Sequence, residues 1–249
     1  MKTLLAALIF FTRLPFWRIA SVPAERFKHV VPYWPLVGWL TGGLLAASLW
    51  LFAQILPLPM AWILALATRL FVTGCLHEDG LADFCDGFGG GTTRERTLAI
   101  MKDSHIGTYG VIGLILYSLL MIQMSLLPLP VLCATAFCAD AYSKWCASHL
   151  IHLLPYARKE EESKAKVAYS RTTLKEEAIC TLGGWLPLCP LLIIEPSLAW
   201  ACLCPPFAFA LLCLWMKRRL GGYTGDCCGA MFLLCELSFY LCTMVLLWK

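Results

Sequence analysis

Seven apolar stretches, at 35–56, 58–76, 109–127, 129–150, 179–195, 197–216 and 229–248, follow one another along this chain. Each is close to the ~20 residues that cross a hydrocarbon core as a helix. A backbone in lipid has no water to satisfy its N–H and C=O groups, so such stretches fold as membrane-spanning helices. Composition agrees: 59% of the 249 residues are hydrophobic, 14% are charged, and mean hydropathy is +0.71. A soluble globular chain does not have that balance. The expected fold class is all-α, a polytopic membrane bundle of seven helices, read as one integral domain over 1–249 with functional loops. The fifth stretch is short and carries Gly183, Gly184, Pro187 and Pro190. A bent or partly re-entrant segment there, with six crossings in all, is the open alternative.

The apolar run from Leu4 to Phe11 is too short to span. No small-residue cleavage site follows it, so an interfacial segment, with Arg13, Phe16, Trp17 and Arg18 at headgroup level, is preferred to a signal peptide.

Seven spans give a clean sidedness. Lys2, Arg13, Arg18, Arg26 and Lys28, then Arg94, Arg96 and Lys102, then Arg158 to Lys175, then Lys217, Arg218 and Arg219 all fall on one face. The connectors opposite, around Pro57-Leu58-Pro59, Pro128-Leu129-Pro130 and Glu195-Pro196-Ser197, lack Lys and Arg. By the positive-inside rule the cationic face is cytoplasmic. The net charge of +4 is accounted for by these loops, and no basic stripe interleaved with aromatics calls for a nucleic acid. The fourteen cysteines are scattered through apolar stretches without a Cys-x-x-Cys pair, which reads as small hydrophobes in packing positions. Gly38, Gly42 and Ala46 place small residues on one face of the first span, where a second helix can approach closely.

Against this background His77-Glu78-Asp79-Gly80-Leu81-Ala82-Asp83-Phe84-Cys85-Asp86-Gly87 is an anomaly, four carboxylates at the end of a span. On a helix Asp79, Asp83 and Asp86 share a face, and Glu78 lies about 100° away. Like charges at that spacing repel, more strongly where the dielectric falls at a membrane boundary. A divalent cation relieves the repulsion, and oxygen-only ligands favour Mg²⁺ or Mn²⁺ over Zn²⁺. A solvated acidic helix end paired with Arg94, Arg96 or Lys102 is the alternative. Gly80, Gly87, Gly89, Gly90 and Gly91 argue for close approach of a ligand. His77 reads equally as a base or phosphate donor and as a buried, satisfied histidine.

Two further polar islands follow. Lys102 to Gly110 reads as a phosphate-contacting turn, or as a plain helix N-terminus capped by Ser104 or Thr108. Gly221 to Ala230 opens the last span, where backbone amides can hold phosphate and Asp226 can answer the helix dipole. Arg69, Asp140, Lys144 and Glu236 lie inside the membrane, where ionisable groups face one another or a polar interior. Asp140 and Lys144 can pair at i,i+4, whereas Glu236 has no sequence-local partner.

Three collinear motifs resemble the cobalamin synthase (adenosylcobinamide-GDP ribazoletransferase) family. They are His77-x-Asp79-Gly80-Leu81-Ala82-Asp83-x-x-Asp86-Gly87, Met101-Lys102-Asp103-Ser104-x-Ile106-Gly107-Thr108, and Gly221-Gly222-x-Thr224-Gly225-Asp226-x-x-Gly229-Ala230 with Glu236. Thr12-Arg13-Leu14-Pro15, Pro35-Leu36-Val37-Gly38 and Tyr156-Ala157-Arg158 are similar as well. The resemblance implies a Mg²⁺-dependent transferase of the bacterial inner membrane, working on the cytoplasmic face. A ribose hydroxyl of α-ribazole or its 5′-phosphate attacks adenosylcobinamide-GDP, and GMP leaves. Homo-oligomers, or association with other cobalamin-assembly enzymes, are further partners it suggests.

On that resemblance Asp79, Asp83 and Asp86 are expected to hold the metal with Glu78 auxiliary. His77 or Asp103 is the base and Lys102 the catalytic cation. Arg94, Arg96, Ser104, Gly107, Thr108, Arg158, Gly222, Thr224, Gly225, Asp226 and Glu236 are expected to contact substrate. The chain departs from the family pattern at Lys144 and His105, where arginine is usual, and at Lys159-Glu160-Glu161-Glu162-Ser163-Lys164, which replaces a glycine-containing turn. A CDP-alcohol phosphotransferase, a UbiA-like transferase and, from another class, a transporter are the rival readings. Asp83 stands where the CDP-alcohol signature has arginine, and no inverted repeat is visible.

Overall fold

A computed structural model describes residues 2–158 and 172–248. The helices are α1 (Lys2–Phe11), α2 (Trp34–Phe52), α3 (Leu58–Thr73), α4 (Leu76–Gly90), α5 (Arg94–Ile100), α6 (Thr108–Gln123) and α7 (Leu129–Ser148). They continue with α8 (Leu150–Leu153), α9 (Leu174–Trp185), α10 (Leu188–Ile194), α11 (Cys204–Leu220) and α12 (Gly225–Leu247). No strand occurs among the described residues, only an isolated parallel bridge between Tyr156 and Tyr223. Five segments are long and apolar enough to cross a membrane: Val31–Phe52, Thr108–Leu126, Leu174–Ile194, Pro196–Leu220 and Gly225–Leu247. The bent pair α3 and α4 makes up to six.

The sharp bend lies at the end of the second stretch and not in the fifth, where a bend is the open alternative. The chain breaks at Leu186-Pro187, yet α9 and α10 still form one candidate span. Between α3 and α4 the axis turns by 91°. The turn is made by two consecutive left-handed residues, Gly74 at φ 65 and Cys75 at φ 56. Gly74 takes that conformation at little cost, whereas Cys75 is the sole described non-glycine residue with positive φ. The turn swings the acidic segment out of the line of α3, a redirection that apolar length alone does not reveal.

Helix α7 is the buried axis. Gly38 and Gly42 of α2 bring its backbone against α7, where an added Cβ would stand 2.6 Å from Ala141 Cα and 2.8 Å from the Phe137 carbonyl. The expected small-residue face is therefore a helix contact. With α2 and α12 packed on it, α7 buries Asp140 and Lys144, and it is not itself among the segments of highest hydropathy. Helix α1 is not merely interfacial: Ala6, Ala7 and Phe11 are buried, and Phe11 stacks on Trp34 at 5.0 Å. All fourteen cysteines are free.

The cationic segments gather at one end. Arg94 donates to the carbonyls of Leu220 (2.8 Å) and Ala157 (2.7 Å), and Arg219 donates to the Gly91 carbonyl. Tyr223 N–H donates to the Pro155 carbonyl at 3.0 Å, and Ala157 N–H to the Tyr223 carbonyl at 2.8 Å. Three segments far apart in sequence are thus laced together, two by their backbones and the third through the Arg94 and Arg219 side chains. The replaced turn at 159–164 lies outside the described residues, as do Lys166 and Arg171.

Candidate active site

Helix α4 is helical through its acidic run, with Asp79 exposed, Asp83 half-buried and Asp86 buried. The three do not act alike. Asp86 accepts the Gly107 N–H at 2.7 Å and the Gly110 N–H at 2.8 Å, so it caps the N-terminus of α6 from a neighbouring helix. Neither Ser104 nor Thr108 serves as that cap, since residue 107 is the N-cap and has no side chain to offer. Asp86 therefore leaves the expected metal group for a structural place. Among the described residues no group of three or more His, Cys, Asp or Glu side chains stands ready to hold a metal.

The glycines of α4 also differ from expectation. Gly80 faces the Asp226 carbonyl, with an added Cβ at 2.9 Å, and Gly89 faces the ring of Tyr109 at 2.6 Å. They admit helix neighbours rather than a ligand. The contact at Gly80 matters for the site, because it seats the start of α12 one residue from Asp79.

Asp226 in turn meets Arg158, whose terminal nitrogen is 3.9 Å from the Asp226 carboxylate. The Arg158 side chain is only 4% exposed, donates to the Leu98 carbonyl at 3.3 Å, and leaves its Nε without a hydrogen-bond partner among the described residues. A buried guanidinium with a free donor is the arrangement that binds an anion. Arg158 also lines a cavity of about 570 Å³ with Arg94, Glu95, Leu98, Ala99, Lys102 and Ala157.

The remaining expected site residues divide in two. Lys102 reaches the cavity, while Arg96 is exposed on α5 and does not line it. Asp103 is exposed and accepts from the His105 backbone at 3.0 Å, with the His105 ring Nδ1 at 2.8 Å. Those hydrogen bonds hold the Asp103 carboxyl below the usual carboxylate range. Ser104 lies exposed in the same turn. Thr224 caps α12 by accepting the Cys227 N–H at 3.3 Å, and Gly222 packs on Pro155 and Ala157, so both hold the segment rather than face the cavity. Gly225 has open space beside it.

Two expectations are corrected outright. His77 is buried between aromatic rings, with Trp34 at 5.7 Å and Phe232 at 4.8 Å, and its Nε2 has no partner. It is a packed histidine and not a base within reach of solvent or a phosphate. Glu236 is fully buried and ion-paired with Arg69, and it accepts from the Tyr117 hydroxyl at 3.3 Å. Arg69 also lies 3.6 Å from Asp140, which is bonded to Lys144 and accepts from Thr41 Oγ1 at 2.9 Å. These side chains form one buried network joining α2, α3, α6, α7 and α12. Sequence spacing showed the pair on α7. It could not show that Arg69 and Glu236, 167 residues apart, are partners.

Glu78 points to a different place from its neighbours. With Arg69 and Tyr117 it lines a mostly apolar cavity of about 220 Å³ between α3 and α6.

The cobalamin-5-phosphate synthase family model matches residues 3–244. The chain belongs to that family. A relative from Leptothrix cholodnii named adenosylcobinamide-GDP ribazoletransferase is 38% identical over 97% of this chain and 94% of its own length. One of the same name from Vibrio parahaemolyticus is 37% identical, over 97% and 91%. One from Shewanella oneidensis is 35% identical, over 96% and 92%. No solved structure matches the chain significantly. Membership over nearly the whole length sets aside the CDP-alcohol phosphotransferase, UbiA-like and transporter readings, and makes this chain an enzyme of cobalamin synthesis. The family motifs are the segments that converge beside Arg158 and Asp226.

Proposed function

We propose that this chain joins adenosylcobinamide-GDP to α-ribazole or its 5′-phosphate, at the end of the bundle where α4, α5 and the segments around Arg158 and Asp226 meet. The observation that carries this reading is the convergence itself: Gly80 seats Asp226, Asp226 faces Arg158, and Arg158 opens on the cationic cavity. In the reaction, a ribose hydroxyl oxygen bonds to the cobinamide-side phosphorus. The bond from that phosphorus to the bridging oxygen breaks, GMP leaves with that oxygen, and the hydroxyl proton passes to a base.

Such a step needs little covalent chemistry from the protein and much positioning and charge neutralisation. Arg158, already desolvated, and Lys102 are placed to hold diphosphate oxygens. Asp79 and Asp83, four residues apart on α4, fit Mg²⁺, which commonly takes one or two carboxylates and completes its shell with substrate phosphates and water. When bound there it would neutralise charge on the cobinamide-side phosphate as the diphosphate is cleaved and GMP leaves. Asp103 is the base we favour over His77, because it is exposed in the turn that carries Lys102. The cationic loops support placing this end at the cytoplasmic face of a bacterial inner membrane.

The test is GMP release from adenosylcobinamide-GDP by membranes containing the protein, with and without α-ribazole and Mg²⁺. Release is expected to need both, and Asp83→Asn is expected to abolish it while the protein still inserts. Release independent of ribazole overturns the reading, and full activity of Asp83→Asn overturns the metal assignment.

A further inference from the structure

The cavity beside α5 combines features that a phosphate site alone does not need. Lys102 and Arg158 supply positive charge, Leu98, Ala99 and Ala157 supply an apolar wall, and Glu95 adds a carboxylate to an otherwise cationic lining. Arg94 is held by the Leu220 and Ala157 carbonyls, and its remaining terminal nitrogen lies 4.0 Å from Glu95. A fixed guanidinium therefore stands beside the carboxylate at the cavity rim. At about 570 Å³ the cavity is within the ~300–1,000 Å³ of small-ligand sites, and far smaller than a corrinoid would require.

Resting on the transferase reading above, we propose that this cavity holds the guanosine monophosphate half of the nucleotide substrate, with Glu95 as the residue that reads guanine. The chemistry selects among the reactants. Guanine offers a ring N–H and an exocyclic amine side by side, two donors that match the two oxygens of a carboxylate. A ribazole base offers no N–H donor, and adenine offers an acceptor where guanine has its ring N–H, so neither satisfies Glu95. The apolar wall accepts the face of the ring, and Lys102 and Arg158 meet its phosphate. This places the cobinamide-side phosphate toward Asp226 and α4, where Asp79 and Asp83 lie. The base of the leaving nucleotide is thus at Glu95, and the diphosphate lies between Arg158 and the Asp79 and Asp83 end of α4.

The test is equilibrium binding of GMP, IMP and AMP to the full chain in lipid nanodiscs containing Mg²⁺. IMP lacks only the exocyclic amine. The wild-type protein is expected to prefer GMP to IMP by about tenfold, the worth of a well-made hydrogen bond to a charged acceptor, and to bind AMP more weakly still. In Glu95→Gln one oxygen becomes a donor facing the base, so the preference is expected to vanish and GMP affinity to fall about tenfold. Lys102→Ala is expected to weaken GMP and IMP alike and leave their ratio intact. Equal binding of GMP and IMP by wild type, or an unchanged ratio in Glu95→Gln, overturns the assignment. If GMP does not bind but ribazole-dependent GMP release is intact, the cavity assignment fails and the transferase reading stands. If release itself is absent, the transferase reading is what fails.

Discussion

Asp86 separates a structural carboxylate from a metal ligand, and its replacement has a magnitude that follows from geometry. Its two oxygens each accept one backbone N–H at the start of α6, at 2.7 and 2.8 Å, in a buried setting. Hydrogen bonds to a charged acceptor contribute roughly 1.5–3 kcal/mol each, and water can reach half-buried Gly107 in part. Asp86→Ala should therefore cost about 2–4 kcal/mol, and Asp86→Asn, which keeps one acceptor and turns an amine toward the other N–H, about 1–3 kcal/mol. For a chain of this size each kcal/mol moves Tm by about 2–4 °C, so Asp86→Ala should unfold roughly 5–15 °C below wild type. The assay is thermal unfolding in detergent followed by the reaction of buried thiols, for which Cys138, Cys180, Cys227 and Cys235 are native reporters. The Mg²⁺ concentration for half-maximal activity should be unchanged in whatever Asp86→Asn protein is folded. Asp79→Asn, by contrast, should raise the Mg²⁺ requirement. An Asp86→Asn protein as stable as wild type, yet inactive or hungry for Mg²⁺, would refute the cap and return Asp86 to the metal.

Two other outcomes follow from the same structure. Arg69→Met alone should destabilise by about 3–5 kcal/mol because it leaves the buried Glu236 without its cation, and Glu236→Gln by less because Arg69 keeps Asp140 at 3.6 Å, while the double replacement should recover much of the Arg69→Met loss; a double-mutant cycle by thermal unfolding checks this, and a change in substrate KM without loss of stability would restore Glu236 to the substrate. The hydrogen bonds from His105 keep Asp103 ionised to lower pH than an ordinary carboxylate, so removing the ring in His105→Ala should raise its pKa and move the acid limb of kcat/KM upward toward the ordinary range near 4. An unmoved acid limb would mean that Asp103 is not the base.

Much of the architecture was legible because its physical cause is local. Apolar length set the membrane class, and the Gly38–Gly42 face declared a close helix contact, since small residues in lipid have few other uses. The sharp bend was not foreseen because prolines and glycines mark the fifth stretch visibly, while the turn that matters rests on the backbone angles of Gly74 and Cys75. Asp86 was grouped with Asp79 and Asp83 because helical spacing relates residues of one helix and is silent about a neighbour. Only the packing of α6 shows that its first amides reach Asp86.

By itself, then, the sequence determined a helical membrane protein with three polar islands and a family resemblance strong enough to suggest its chemistry. Periodicity, charge and motif are properties of neighbours along the chain, and these islands are written in them. The tertiary structure decided how the carboxylates and cations divide: Asp86 to a helix cap, Glu236 to Arg69, His77 to an aromatic enclosure, and Arg158 to a buried place beside Asp226. That division depends on contacts between residues tens to hundreds of positions apart. A charge becomes a ligand, a cap or a structural partner only when the fold brings it one definite neighbour.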